Sequence, residues 1–554
     1  MQTELARLFR PGKPARAGRY EKLALVAILI LSVGLRLWHI DFGLPALNDP
    51  DEPLFVMNAL DMLREHRLNP EWFGHPATML FYALALILVA VGWVGTVLHL
   101  WPGAAGFASA VYADPSIVIL PMRVFILMTG VGCIWLTWRI GREAVGPRVG
   151  LIAAALLGCN GLHVELSQVI RTDMLASLFM LWSSLHAMRA ARSGAVRDLV
   201  LAGLFVGLGG ATKWPAMLFA INGAGAVLLR WREAGWRRTL LLLPIVPAVA
   251  LIALVAASPY LLLDHATVVR DLSGEARPVH PGSTGGGFAQ NLLWYGRHVL
   301  LSGFGVVGTA LAAIGLVLIP LRARILGIAG LPGALLFLLG IAVQALIWER
   351  WTVPVLPWIA LAVAVGLNGA IEWLRPAWRP AAFAGAIALL LLPMLHATML
   401  RTTMRAHDTR QIASRWVQQH VPPQASLLIE DASFDLLNRP GAVLFPLGYA
   451  GCVNVRLILG AKPKYQQIGK ERSGKAIVDV GNVASERLAG CRADIAIITH
   501  YDRYRNEAER FPEQLIPYQR LLRGGRTLLV VRPQPGRIGG PVTRVVRLRP
   551  ATAG

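Results

Sequence analysis

The stretch Ile117–Trp138, IVILPMRVFILMTGVGCIWLTW, contains 22 residues and a single charged one, Arg123. A helix needs about 20 largely apolar residues to cross the roughly 30 Å hydrocarbon core of a bilayer. The runs Leu23–Ile40, Ala77–Leu100 and Leu240–Leu263 approach or exceed this length with a similar composition. The sequence therefore predicts an α-helical polytopic membrane protein.

The chain as a whole shares this apolar character. It has 554 residues, of which 55% are hydrophobic and 16% are charged, and its mean hydropathy is +0.52. A single water-soluble core cannot bury that much apolar surface, which excludes a secreted soluble enzyme. No small-residue cleavage site follows the first apolar run, so we interpret this run as a transmembrane helix and not as a signal peptide.

The formal net charge of +22 is distributed over short segments between the apolar runs. Basic short loops mark the cytoplasmic side of a membrane protein, and this placement explains the charge without nucleic acid as a partner. The basic segments are the cytoplasmic N-terminal arm, residues 1–22, and residues 139–148, 189–197, 230–238, 322–324 and 375–379.

Charge parity then predicts about eleven spans in a transmembrane domain of residues 23–400. The spans are residues 23–40, 119–138, 149–166, 174–190, 199–212, 214–230, 240–263, 298–320, 325–347, 352–373 and 381–399. Ala77–Leu100 does not fit a single crossing, because every later basic loop would then lie outside. We therefore predict that it is tilted, re-entrant or interfacial within a large first external loop, residues 41–122, that contains interfacial helices.

From residue 401 the composition becomes that of a soluble domain. An amphipathic helix at Asp408–His420 and β-rich runs at residues 426–430, 494–499 and 527–531 predict a small extracytoplasmic α/β domain over residues 401–532. The Pro-, Gly- and Arg-containing residues 533–554 predict a loosely ordered tail. Cys452 and Cys491 both belong to this domain, where a disulfide is permitted but is not dictated by the sequence.

The acidic sequence Asn48-Asp49-Pro50-Asp51-Glu52-Pro53 lies in the first external loop. A carboxylate here can act as a general base that removes the proton of an acceptor hydroxyl. The alternative is that Asp49 or Asp51 caps the following helix, Leu54–Leu63, whose apolar face would contact lipid. The local pattern leaves both interpretations open.

Further external positions are charged. Arg171 and Asp173 lie between two spans, either in a functional site or as a local ion pair. Lys213, at the end of a helical hairpin, can bind a phosphate or snorkel to the lipid headgroups. Arg350 can clamp a phosphate through its guanidinium or pair with Glu349.

Carboxylates and cations on one face of the membrane are what sugar transfer from a lipid phosphate requires. The base deprotonates the acceptor, and the cations stabilise the charge that grows on the departing phosphate. A polytopic transporter or lipid flippase is the alternative, but transporters place ionisable groups near the midplane and often contain repeats. The outer-face placement therefore favours a glycosyltransferase. The sequence contains no CxxC or HExxH pattern and predicts no metal ligands.

Taken in order over residues 20–375, these motifs resemble the GT-C superfamily of membrane glycosyltransferases, in particular the protein O-mannosyltransferase and lipid A aminoarabinose transferase group. The similar positions are Asp51-Glu52, His75-Pro76, Arg123, the R-x-D signature of Arg171 and Asp173, Thr212-Lys213, and Arg350 followed by Pro354 and Pro357. The chain departs from the family where His-Pro-Pro becomes His75-Pro76-Ala77, at a position that would contact the acceptor or a metal.

The resemblance implies an inverting transferase that uses a polyprenyl-phosphate monosaccharide and a hydroxyl acceptor on a protein, lipid or polysaccharide. It makes no cofactor certain, and a divalent metal is compatible with it. The expected location is the bacterial inner (plasma) membrane, in contact with membrane lipids, with the active site and the C-terminal domain on the outer, periplasmic side. The implied site residues are Asp51 as the base, Glu52 as its support, Asp173 as a second acid, and Lys213, Arg171, Arg123 and Arg350 on the donor phosphate.

Overall fold

The structure is a computed structural model that describes residues 18–430, 432–447, 451–455 and 479–548. The larger part is a bundle of helices, joined by 3₁₀ turns at Trp214–Ala220, Glu349–Thr352 and Pro376–Trp378 and by a π-helical turn at Gly296–Leu301. The helices are α1 Arg19–Leu37, α2 Glu52–Arg64, α3 Thr78–Val97, α4 Gly103–Ala113, α5 Ser116–Ala144, α6 Pro147–Cys159, α7 Gly161–Leu166, α8 Thr172–Ser193, α9 Val196–Thr212, α10 Ile221–Leu229, α11 Trp231–Ala234, α12 Trp236–Leu242, α13 Ile245–Ala257, α14 Tyr260–Leu263, α15 His265–Glu275, α16 Phe288–Tyr295, α17 Ser302–Arg322, α18 Arg324–Ala329, α19 Pro332–Ala342, α20 Leu356–Glu372 and α21 Arg379–Ala406.

Within the described residues, five helical segments are long and apolar enough to cross a membrane: Thr78–Val97, Ser116–Ala144, Trp236–Ala257, Phe288–Arg322 and Pro376–Ala406. Shorter apolar helices cover Pro147–Cys159, Trp214–Leu229, Pro332–Ala342 and Leu356–Glu372. The polytopic helical fold expected from the sequence is confirmed.

Some expected spans are shorter than the apolar runs that predict them. The run 149–166 is divided at Asn160, whose side chain accepts a hydrogen bond from the His163 amide and caps α7. The run 325–347 contains the separate helices α18 and α19. Composition does not show these interruptions, because a polar cap inside a bundle is satisfied locally and leaves the surrounding residues apolar.

Helix α5 has different chemistry at its two ends. Arg123 lies near its start, whereas Arg142 at its far end pairs with Glu21 at 2.6 Å. At the same end of the helix, Oε1 of Glu143 pairs with Nη2 of Arg189 at 2.8 Å. Arg123 and Arg142 are nineteen positions apart, about 28 Å along a helix, which is close to the thickness of the hydrocarbon core. The basic loops therefore collect at the end of the bundle opposite Arg123.

The structure of the first loop contradicts the predicted lipid contact of α2 and reduces the alternatives for residues 77–100. The apolar face of α2, including Phe55, Ala59 and Met62, is buried in the core of the protein and does not contact lipid as predicted, because α3 packs against it. Helix α3 is unbroken over twenty residues, about 30 Å. A re-entrant segment would need a break at its turning point, so this alternative is wrong, while a tilted or interfacial helix stays a prediction.

The C-terminal domain is a mixed sheet with helices on both faces. Its strands are β1 Leu427–Ile429, β2 Val443–Pro446, β3 Cys452–Asn454, β4 Ile495–Ile498, β5 Gly525–Val531 and β6 Thr543–Leu548, and its helices are α22 Thr409–His420, α23 Tyr501–Asn506 and α24 Pro512–Gly524. The strand order is β3-β2-β1-β4-β6-β5, with β1 parallel to both β2 and β4. Alternate side chains of β1 face opposite layers: Leu427 and Ile429 pack with α22, and Leu428 packs with α24.

Two expectations for this domain have definite outcomes. Cys452 and Cys491 are joined by a disulfide, so the option that the sequence left open is realised. The tail predicted to be loosely ordered instead contributes β6, which pairs antiparallel with both β4 and β5. The prediction is wrong for residues 543–548 because Val545 and Val546 are fully buried core residues, although Arg, Pro and Gly surround them. Residues 549–554 lie outside the described part of the chain.

Candidate active site

The Asp51 carboxylate lies between two arginines. Its Oδ2 is 2.7 Å from Nη1 of Arg350 and 2.5 Å from Nη1 of Arg171, whereas Oδ1 receives no hydrogen bond from the described residues. The side chain is 32% exposed. It makes no capping hydrogen bond to α2, so the capping interpretation of Asp51 is not realised. Asp51 is thus a carboxylate with one oxygen held by cations and one oxygen free to accept a proton.

Asp49 holds the other side of Arg171. Its two carboxylate oxygens are each 2.9 Å from Nη2 of Arg171, and its Oδ1 also accepts the Asp51 amide at 3.0 Å. Arg171 immediately precedes α8 and is directed toward the first loop. The local Arg171–Asp173 ion pair considered from the sequence is therefore replaced by pairs of Arg171 with Asp49 and Asp51.

Asp173 and Lys213 form the second charged pair of the site. The Lys213 ammonium contacts Asp173 Oδ1, and the two side chains are only 8% and 4% exposed. Lys213 is therefore buried in a hydrogen-bonded ion pair and does not snorkel. Its backbone is positioned by α9, which ends at Thr212, and the Thr212 carbonyl accepts the amide of Ala77.

His75 lies close to both charged pairs. Its Nδ1 is 3.3 Å from Oγ1 of Thr172, and the charges of Lys213, Asp173, Asp51 and Arg171 act on its pKa. Burial and the Lys213 ammonium lower the pKa of His75 to about 4, so its imidazole is neutral at physiological pH. The loop from Trp72 to Ala77 thereby brings an uncharged imidazole to the charged residues.

Glu52 and Arg123 are fully buried and bind each other. The Glu52 carboxylate accepts hydrogen bonds from Nε of Arg123 at 2.9 Å and from Nη2 of Arg123 at 2.7 Å. Nη1 of Arg123 donates to the carbonyls of Ile40 and Phe42. Glu52 also accepts the amide of Ile170 at 3.1 Å. With an exposed fraction of 0% for both side chains, the assignment of Arg123 to the donor phosphate is contradicted, since its guanidinium is already occupied. The pair ties the first loop to α5 and to the segment before α8.

A cavity of about 400 Å³ is lined by Asp49, Arg171 and Arg350, which all contact Asp51. Its lining residues come from the bundle, from residues 281–283 of the loop before α16, and from Arg503 of α23. The loop before α16, which contains Gly285-Gly286-Gly287, is held here because the Ile347 amide donates to the Ser283 carbonyl and the Gly285 amide donates to the Ala345 carbonyl. The charged and aromatic residues that line the cavity are Asp49, Glu165, Arg171, Trp294, Trp348, Glu349, Arg350, Arg401 and Arg503.

Several of these residues were missed from the sequence. Glu349 pairs with Arg401 at 3.1 Å and not with Arg350, and Arg401 also contacts Glu165 at 3.2 Å. Arg503 forms no ion pair with any of the described residues. The sequence signal for these residues was only their charge beside a span, and Arg503 is separated from the membrane segments by the whole first half of the α/β domain.

Arg350 has an additional contact that orients it. Its guanidinium carbon lies 4.8 Å from the centre of the Trp348 ring, an arrangement that favours the cation. Only Nη1 of this side chain is engaged by Asp51, and the side chain is 21% exposed. Arg350 is therefore placed to donate further hydrogen bonds into the cavity.

No group of three or more His, Cys, Asp or Glu side chains in the described ranges is arranged to hold a metal ion.

The structure shares its fold with two solved proteins, ArnT and AglB. The structure aligns with ArnT from Cupriavidus metallidurans bound to undecaprenyl phosphate with a TM-score of 0.53 and 14% identity, over 97% of this chain and 100% of that chain. It also aligns with the oligosaccharyltransferase AglB from Archaeoglobus fulgidus in complex with an inhibitory peptide and a dolichol-phosphate. For AglB the TM-score is 0.50 and the identity 13%, over 92% of this chain and 73% of that chain.

Sequence comparison gives a narrower match. Residues 115–263 match the family model of dolichyl-phosphate-mannose-protein mannosyltransferases. None of the curated proteins matches this chain in sequence. The matched segment contains Arg123, Arg171, Asp173 and Lys213, which are four of the residues singled out from the motifs.

Proposed function

We propose that this protein transfers a monosaccharide from a polyprenyl-phosphate donor to a hydroxyl group of an extracytoplasmic protein, lipid or polysaccharide, with inversion at the sugar. The observation that supports this most directly is the Asp51 carboxylate, which is held through Oδ2 by Arg171 and Arg350, two arginines that line a cavity, while its Oδ1 receives no hydrogen bond from the described residues. ArnT and AglB, which share the fold, were solved with undecaprenyl phosphate and dolichol-phosphate respectively.

The chemical step is a single displacement. Asp51 Oδ1 accepts the proton of the acceptor hydroxyl while the oxygen of that hydroxyl forms a bond to the anomeric carbon of the sugar. The bond between that carbon and the phosphate oxygen breaks, and its electron pair leaves with the polyprenyl phosphate. Because attack and departure occur on opposite faces of the carbon, the configuration inverts.

The cations of the site assist the departure of the phosphate. Arg350, and Lys213 from the buried pair, stabilise the negative charge that grows on the leaving phosphate. Charges act more strongly in a site that excludes water, and the Lys213–Asp173 pair is almost entirely buried. Asp173 then has the role of holding the Lys213 ammonium in place for the phosphate.

The orientation follows from the distribution of basic residues. The basic loops lie at the end of α5 where Arg142 and Glu143 are found. Basic loops of membrane proteins lie on the cytoplasmic side. The site and the α/β domain then lie on the outer, periplasmic side of a bacterial inner membrane. This placement lets the polyprenyl chain remain in lipid while its phosphate reaches the site.

Asp51→Asn tests the proposal. Purified protein in liposomes is given a panel of polyprenyl-phosphate monosaccharides and envelope extracts, and the release of polyprenyl phosphate is measured. The substitution should lower turnover by about 100- to 10,000-fold, the usual contribution of a general base. Asp41→Asn, which changes an exposed carboxylate of the same loop, should have no effect.

Two results would end the proposal. Retained turnover in Asp51→Asn would show that this carboxylate is not the base. Movement of the lipid between leaflets by the wild-type protein, without release of polyprenyl phosphate, would identify a flippase. Mass spectrometry of envelope lipids and glycoproteins from cells with and without the protein would then identify the sugar and the acceptor.

A further inference from the structure

The α/β domain holds the chain immediately before the acidic residues of the site. Arg410 Nη1 donates to the Asn48 carbonyl at 3.0 Å, and Gln411 Nε2 donates to Asn48 Oδ1 at 2.6 Å. The amide of Leu47 donates to the carbonyl of Ala432 at 3.2 Å. Asn48 is 4% exposed, so this segment is enclosed by the domain. We call these contacts the Asn48 clamp.

The two side-chain donors of the Asn48 clamp, Arg410 and Gln411, are themselves fixed. Asp408 caps α22 by accepting the Arg410 amide, and its carboxylate binds the Arg410 guanidinium through Nε and Nη2, each at 2.8 Å. Gln411 Nε2 also donates to the carbonyl of Ser433 at 2.9 Å. The two side chains project from the first turn of a helix, which is a rigid support.

The effect of the clamp reaches Asp51 through two residues. Asn48 precedes Asp49, and Asp49 Oδ1 accepts the Asp51 amide at 3.0 Å in a tight turn. Asp49 is also bound by Arg171. The position of Asp51 is therefore determined from the bundle side by Arg171 and Arg350, and from the domain side by the Asn48 clamp.

We propose that Gln411 and Arg410 are positioning residues for the Asp51 carboxylate, and that the α/β domain is therefore an integral part of the active site. This inference rests on the proposed function. A base must stand within hydrogen-bond reach of the proton it accepts, and a misplacement of about 1 Å can cost on the order of 100-fold in rate. Without the clamp, Asp51 stays bonded to its arginines, but the backbone that supports it loses its contacts on one side.

The test compares two glutamines of the same helix. Gln411→Ala removes the hydrogen bond to Asn48, whereas Gln418→Ala removes only contacts to Asp435 within the domain. Hydrogen exchange of the peptide that contains Asn48 and Asp51 reports the clamp independently of activity. Transfer kinetics with saturating acceptor then give kcat and the donor KM for each protein.

The expected result is faster exchange in the Asn48 peptide and a kcat lowered about 10- to 100-fold in Gln411→Ala. The donor KM, the pH profile and the melting temperature should stay within error, and Gln418→Ala should resemble the wild-type protein in every measurement. A loss of kcat in Asn48→Ala that does not add to that of Gln411→Ala shows that both act through the same contact.

Three results would overturn the inference. Unchanged kcat in Gln411→Ala, with faster exchange, shows that the clamp does not position the base. A fall in kcat that follows a fall in melting temperature shows a purely structural role. If the wild-type protein catalyses no transfer while the exchange difference is present, the proposed function fails, and the positioning role fails with it.

Discussion

Replacing Glu52 by glutamine is expected to destabilise the folded protein by about 3–5 kcal/mol, because it leaves a buried arginine without its counter-charge. Glu52 and Arg123 are both 0% exposed and share two hydrogen bonds. Asp51, the adjacent residue, is 32% exposed. The two neighbouring acids are thus expected to behave oppositely, one supporting the fold and the other the reaction.

The magnitude follows from what glutamine can replace. Its amide has the shape of the carboxylate but one acceptor oxygen in place of two, and its NH₂ group would face a donor, either Arg123 Nη2 or the Ile170 amide. The bonds from Arg123 to the carbonyls of Ile40 and Phe42 remain, but neutral carbonyls do not cancel a buried charge. Replacing Arg123 by methionine in the same protein removes that charge and should restore much of the loss.

The assay is equilibrium unfolding by SDS in mixed micelles, read by circular dichroism, for the wild-type protein, Glu52→Gln, Arg123→Met and the double variant. The cycle should give a coupling free energy of about 0.5–3 kcal/mol, as expected of residues in contact. Asp51→Asn should be less destabilised than Glu52→Gln, because the Asp51 side chain is 32% exposed and water screens its pairs with Arg171 and Arg350. A Glu52→Gln protein that is as stable as the wild type but inactive would refute the structural role.

Two further outcomes are expected. Lys213→Ala should raise the KM for the donor more than the KM for the acceptor, since we propose that Lys213 binds the donor phosphate. Equal changes would contradict this role, and a separate Asp173→Asn variant controls for loss of the buried pair. The α/β domain should be most stable between about pH 4.5 and 6.5, the ordinary pKa values of Glu430 and His500. Burial alone would raise the pKa of Glu430, but the His500 imidazolium outweighs it and lowers that pKa to about 2, so this stabilisation is lost as pH falls below 4.5. Burial alone would lower the pKa of His500, but the Glu430 carboxylate raises it, so this stabilisation is complete below 6.5 and is lost as pH rises through the raised pKa. Burial raises the pKa of Asp479, which moves the pH of maximum stability toward the acid side. Unfolding in urea at pH 3–9 measures how the stability of the domain depends on pH. Stability that rises steadily to pH 9 would contradict this prediction.

The membrane fold was predictable because lipid imposes a simple requirement on sequence. A run such as Ile117–Trp138 indicates a helix whatever its neighbours are, since length and apolarity are local properties. The interruptions were not predictable, because the Asn160 cap is a polar residue satisfied by its own helix. Strand β6 was missed for a related reason: its burial depends on pairing with β4 and β5, which are remote along the chain.

The convergence of the site was only partly predictable. The order of motifs identified Asp51, Arg171, Asp173 and Lys213 as charged positions at one face, but not which of them pair. Pairing depends on side-chain direction: Arg171 turns to the first loop and leaves Asp173 to Lys213. Arg503 had no local signal at all, because it reaches the cavity only through the docking of a separate domain.

The exposed fractions of the acid side chains distinguish structural from catalytic roles, which the sequence motif alone does not do. The pairs Glu52–Arg123, Asp173–Lys213 and Asp51–Arg350 each join an acid to a base, yet their acid side chains are 0%, 4% and 32% exposed. A carboxylate enclosed with its partner cannot reach an acceptor hydroxyl, whereas Asp51 is partly exposed and its Oδ1 receives no hydrogen bond from the described residues. In the sequence Asp51-Glu52 the two acids have the same chemistry, and the helix that begins at Glu52 turns one into the core and leaves the other at the surface. In the proposed mechanism the start of α2 therefore determines which acid is the base, so the residues that fix this start, Asn48 and its clamp, are expected to affect catalysis.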